Sequence, residues 1–206
     1  MPSTTRKKTL GVCAPLLASL TLAALMLVNL TLCAAHARAE VVVTTATEHY
    51  PVDGLTPMEI TENLMLQSPI EQDGRTFQAH THSTIRYEFS WTRRNDSCTM
   101  NQATVFIHIV YKYPQLADLP DAETKLWWQS HLDRLTEHEL VHGEIALRTA
   151  RELDKTLNSL TDLHCATVRD VVRALGDAGL KTLEERQRAY DALTDHGRNQ
   201  QAYTGK

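Results

Sequence analysis

Residues 138–142 read His-Glu-Leu-Val-His, a spacing that suits metal-assisted hydrolysis. On an α-helix His138 and His142 lie one turn apart on the same face, so both imidazoles reach a single ion. Two imidazoles leave room on zinc for a third protein ligand and a water. Glu139 stands beside the first ligand and projects toward that water. Zinc lowers the pKa of a bound water toward neutrality, and a carboxylate can then take its proton. The pattern is that of zinc metallopeptidases. It makes His138 and His142 metal ligands, Glu139 the general base, Zn2+ the cofactor and a peptide or protein the substrate. The plainer alternative is a helix whose two histidines are only packed or solvated.

A third ligand must come from elsewhere, and the candidates are His131, Glu144, Glu152, His164, Asp191 and His196. His131 lies about two turns before His138 along a rigid helix, too far to share the ion easily. Glu144 follows His142 too closely to face the same way. Residues 161–163 hold no glutamate, and no glycine with a third histidine follows shortly after His142. The C-terminal run from Tyr190 to Gly197 remains. There His196 precedes a glycine that would end a helix, so its ring can swing over a neighbouring helix. A histidine at a helix C-terminus is also favoured by the macrodipole without any metal.

Several elements must position these groups. The β-branched run Val41–Thr45 predicts a strand, and Asp53-Gly54 and Asp73-Gly74 predict turns. Thr56, Pro57 and Glu59 read as N-cap, N1 and N3 of a short helix to about Gln67. Ile85, Tyr87, Phe89 and Trp91 alternate with polar residues, as do Val105, Ile107, Ile109 and Tyr111 after the polar loop Arg93–Ser97, which predicts two antiparallel neighbours. His108 falls on the outer face of the second strand. From Asp121, a capping residue, to about Leu160 the apolar period is helical and carries the motif. Two shorter helices, 166–175 and 180–195, are expected on either side of Gly176-Asp177-Ala178-Gly179, each ending at a glycine. The expected fold class is α+β: a small antiparallel sheet packed on the long motif helix and C-terminal helices.

The chain has 206 residues, 42% of them hydrophobic and 22% charged, within the ordinary globular range. Leu10–Leu32 contains no charge, follows Arg6-Lys7-Lys8 and leads to Ala37-Arg38-Ala39, which reads as an export signal over 1–39. If uncleaved, this segment is a membrane anchor with its basic flank cytoplasmic. Its removal takes four basic residues and no acid, shifting the net charge from −4 to −8. Such a domain repels nucleic acid and anionic membrane surfaces, and the implied location is periplasmic or secreted. The domain proper is expected over 40–197 and a flexible tail over 198–206. Outside the export segment only Cys98 and Cys165 remain, and in an oxidising compartment they should pair.

The exported domain, Trp127-Trp128, the 138–142 motif and Tyr190-Asp191…Thr194-Asp195-His196-Gly197 together resemble a bacterial family of unknown function. Its members are labelled predicted secreted zinc-dependent proteases, a label that rests largely on the histidine–glutamate motif itself. The resemblance runs from Tyr50-Pro51-Val52-Asp53-Gly54 to Gly197 and includes both cysteines. It implies that the C-terminal element belongs to the same site, with His196 as third ligand and Asp191 as its partner or rival. Tyr190 is then either an oxyanion donor or an ordinary buried tyrosine. A zincin-like fold would provide this layout. The competing function is a non-catalytic envelope protein that binds a partner through a strand edge or the tryptophans, its metal structural or absent. The oligomeric state is not readable from the sequence.

Overall fold

The structure is a computed structural model and describes residues 41–72 and 74–203. The expected export segment and Asp73 of the second turn lie outside the described residues. Among those described, no helix is long and apolar enough to cross a membrane.

The β-branched run opens an 11-residue strand, β1 (Val42–Val52). The chain then forms α1 (Pro57–Gln67) and a two-stranded hairpin of β2 (Glu71–Gln72) and β3 (Arg75–Thr76). Two long strands follow, β4 (His80–Arg94) and β5 (Ser97–Leu116), then α2 (Ala122–Asn158), the short β6 (Leu163–His164) and α3 (Val168–Thr194). β4 and β5 pair antiparallel, as the short polar loop between them implied, through a tight turn at Asn95-Asp96 with Asn95 at φ 54°. His108 is exposed on the outer face.

The main sheet has the order β1-β5-β4, with β6 on the start of β5. It is mixed rather than all antiparallel, because β1 runs parallel to β5. Alternation reports which face of a strand is buried and says nothing of strand direction. The chain between β1 and β5 is long enough for the crossover that a parallel pair needs.

Local chemistry fixes the helix starts. Thr56 and Glu59 form a reciprocal capping box at α1. Asp121 accepts the Thr124 N–H at 2.8 Å to start the 37-residue α2.

The C-terminal half departs from expectation. Instead of two short helices, α3 is one helix of 27 residues running through both glycines. A Cβ on Gly176 would lie 2.2 Å from the Tyr87 hydroxyl, and one on Gly179 would meet Leu153 at 3.7 Å. Gly176 therefore admits the tip of a β4 tyrosine against the helix, and neither glycine ends it. The stop comes at Asp195, in the left-handed region at φ 50°.

The core lies between one sheet face and the two long helices. Val105, Ile107 and Ile109 of β5 pack with Ile145, Ala146, Ala150, Leu153 and Leu157 of α2 and with Val172 and Leu183 of α3. A second cluster joins Tyr50 and Val52 to Ile60 and Leu64 of α1 and to Trp128. The disulfide Cys98–Cys165 ties the start of β5 to the segment before α3, with the two Cα atoms 5.1 Å apart.

Candidate metal centre

The inward stripe of α2 is apolar for most of its length: Ile145, Ala146, Ala150, Leu153 and Leu157 recur on one face. Continued toward the N-terminus, the same stripe presents His142, Glu139 and His138, each under 10% exposed. Three titratable groups thus occupy core positions, where burial costs several kcal/mol unless partners offset it. The partners come from α3, β4 and the segment after α3.

On α3, Asp191 faces the two histidines. Its Oδ1 lies 3.2 Å from His138 Nε2 and 3.0 Å from His142 Nε2, and the two nitrogens are 3.1 Å apart. The outer nitrogens are also held. Gln187 Nε2 donates to the His142 carbonyl at 3.0 Å, which turns its Oε1 onto His142 Nδ1. Gln200 Oε1 sits 3.2 Å from His138 Nδ1 and accepts the Tyr190 hydroxyl at 2.8 Å. An amide oxygen only accepts, so each neutral imidazole carries its proton on Nδ1 and leaves Nε2 as a lone pair. Two lone pairs and a carboxylate oxygen then converge with nothing to donate between them.

This geometry fits a bound cation. Tetrahedral zinc with bonds of about 2.0–2.1 Å sets its donors roughly 3.3 Å apart, close to the separations here. Ring nitrogens held by an outer hydrogen bond are also the usual state of metal-ligating histidines. The electrostatics agree. Burial disfavours the charged form of His142, yet the Asp191 carboxylate and Gln187 more than offset it and raise its pKa. Burial likewise pushes Asp191 up, but the imidazoles of His138 and His142 beside it hold it well below the ordinary carboxylate range. The cluster favours positive charge at its centre.

Glu139 points off the same turn toward β4. Its Oε2 accepts the Thr81 hydroxyl at 2.7 Å. Burial raises the pKa of its carboxyl above the ordinary value, against the opposing pull of Thr81 and the two histidines. Tyr190 walls the site: its ring stacks on His138 at 4.8 Å and meets His142 edge-on at 4.9 Å. Burial pushes its phenol up to about 12. Because that hydroxyl is engaged with Gln200, Tyr190 serves here as a wall and not as a free oxyanion donor.

His196, expected as third ligand, stands outside the three-donor cluster. Its side chain is 44% exposed, its Nδ1 is 3.8 Å from Asp191 Oδ1, and its ring lies against Phe77 at 5.6 Å. The reason is local: Asp191 is still on the helical face turned to α2, whereas Asp195 and His196 are both left-handed and swing the chain away. His131 is also elsewhere, against the rings of Trp127 and Trp128 and bonded to Gln78 at 2.9 Å. Glu152 pairs with Arg186 at 2.7 Å.

The other motif residues build the return turn. Thr194, fully buried, donates to the Tyr190 carbonyl and accepts the Gly197 N–H. Gly197, at φ +84°, passes so close that a Cβ there would lie 3.1 Å from His138 Cγ. Residues 198–203 belong to the stretch expected as a tail. They turn back, form a 3₁₀ turn at Gln200–Ala202 and place Tyr203 edge-on to Tyr190 at 4.9 Å. Thr81, Gln187 and Gln200 are the site residues that sequence reading missed. Only Gln187 left a trace, one helical turn before Asp191 on the same face.

A search of curated proteins and a search of solved structures each found no match. A scan against family models matched residues 47–197 to one described as a bacterial protein of unknown function (DUF922), a span that holds the motif, Asp191 and both cysteines. The chain therefore belongs to the DUF922 family of bacterial proteins of unknown function.

Proposed function

We propose that the protein is an exported zinc-dependent metallopeptidase of zincin-like organisation, acting on peptide bonds in the periplasm or outside the cell. The observation that carries this reading is the meeting of three lone-pair donors, His138 Nε2, His142 Nε2 and Asp191 Oδ1, within 3.2 Å of one another. In this assignment these three residues hold zinc, and Asp191, the rival candidate, takes the third position in place of His196. A bound zinc would supply a Lewis acid that brings a water's pKa toward neutrality and polarises a carbonyl. The chain's own residues do the rest. Glu139 is the base: burial raises its proton affinity, so it can take a proton from a water and later release it to a leaving amine. Thr81 fixes its carboxylate through Oε2. The edge of β4 away from β5, which pairs with no strand among the described residues and begins next to Thr81, suits an extended peptide bound by main-chain hydrogen bonds.

The test is Glu139→Gln, which preserves shape while removing the base. The variant should bind zinc as wild type does and cleave a fluorogenic peptide library at least about 100-fold more slowly. Cleavage at the wild-type rate would overturn the role given to Glu139. Stoichiometric zinc with no cleavage by wild type would instead favour a non-catalytic envelope protein.

A further inference from the structure

Residues beyond the family match reach into the cluster. Gln200 lies three positions past Gly197 in sequence, yet its Oε1 faces His138 Nδ1 at 3.2 Å and accepts the Tyr190 hydroxyl at 2.8 Å. Three further contacts bring it there. Asn199 N–H donates to the Thr194 carbonyl at 2.7 Å, Gly197 lies against the His138 ring, and Tyr203 packs edge-on to Tyr190. His142 receives the equivalent support from Gln187, within α3 itself. The outer nitrogen of His138 depends on the tail.

From this asymmetry we propose that residues 198–203 form a latch coupled to the metal: Gln200 is a positioning residue that fixes the His138 tautomer, and docking of the tail and zinc binding strengthen one another. With Nδ1–H engaged by Gln200, Nε2 is already a lone pair facing Asp191 and His142. With the tail undocked, that proton can occupy either nitrogen and the ring can turn. Zinc on Nε2 in turn requires the proton on Nδ1, which favours the docked tail. Linkage makes the two effects equal. The latch presupposes the zinc site proposed above, so the experiment reads zinc binding first.

Zinc affinity is measured by chelator competition on wild type, Gln200→Leu and Gln200→Glu, together with the thermal midpoint of each metal-free form. Gln200→Leu should weaken binding about 10- to 100-fold, the usual effect of losing such a partner. Gln200→Glu keeps an acceptor oxygen and should stay within about threefold of wild type, while the metal-free midpoint falls in Gln200→Leu, which leaves the buried Tyr190 hydroxyl without its 2.8 Å acceptor. Independently, limited trypsin cleavage of wild type after Arg198 should slow on adding zinc by the same factor by which zinc favours the docked tail. Equal affinities in wild type and Gln200→Leu, or an Arg198 bond cut equally fast with and without zinc, would overturn the latch while leaving the metal centre standing. Failure of wild type to bind zinc would overturn both.

Discussion

At the scale of single residues, the three-donor cluster separates two ligand assignments that sequence alone left open. Asp191 is one-third exposed or less and touches both imidazoles, whereas His196 is 44% exposed and touches neither within hydrogen-bond distance. Removing a ligand and removing a neighbour have different costs. Asp191→Ala should lower zinc affinity by two orders of magnitude or more, while His196→Ala should lower it by no more than about threefold. Isothermal titration under chelator control distinguishes them, and the reverse order would restore His196 as ligand. The pair His138 and His142 was legible from spacing because a helix has a fixed period. The choice between Asp191 and His196 was not, because the helix stop near 195, legible to within a residue, leaves open which way the chain turns after it. Two consecutive left-handed residues, Asp195 and His196, decide that, and neither type announces it.

At the scale of elements, the sequence was most informative where local physics dominates and least where a distant side chain overrides it. The caps at Thr56 and Asp121 and the alternation along β4 and β5 are local, and they appear where expected. Gly176 misled because a glycine that ends a helix and one that lets a partner approach look alike in sequence; only Tyr87, 89 positions earlier, tells them apart. Gly143 poses the same problem one residue after His142. A Cβ there would sit 2.0 Å from the Tyr111 hydroxyl and 2.9 Å from its Cζ. Gly143→Ala should therefore destabilise the fold by about 1–3 kcal/mol although alanine is the better helix former. Tyr111→Phe in the same chain removes the closest clash and should recover part of that loss. A double-mutant cycle by urea unfolding measures the recovery, and strict additivity would mean that the tyrosine tip is not what the glycine accommodates.

For the whole molecule, α3 is fastened to the rest at both ends by different chemistry. Before its first turn, Cys165 is bonded to Cys98 at the start of β5. Near its last turn, Asp191 meets His138 and His142 of α2 across the proposed zinc site. The disulfide spans 67 residues of sequence, for which loop-closure entropy gives about 4 kcal/mol, an upper figure if the unfolded chain keeps structure. Zinc at 100 times its dissociation constant adds about 2.7 kcal/mol by mass action. Val168 and Asp191 are about 35 Å apart along a straight helix, well beyond the range over which separate perturbations usually couple. Replacing both cysteines by alanine and removing zinc should therefore lower unfolding free energy additively to within about 0.5 kcal/mol, read from denaturant curves of the four combinations. A markedly larger combined loss would mean that α3 transmits strain from one fastening to the other and that its end depends on its beginning. In that case the disulfide would belong to the metal site's architecture, and reduction alone would weaken zinc binding.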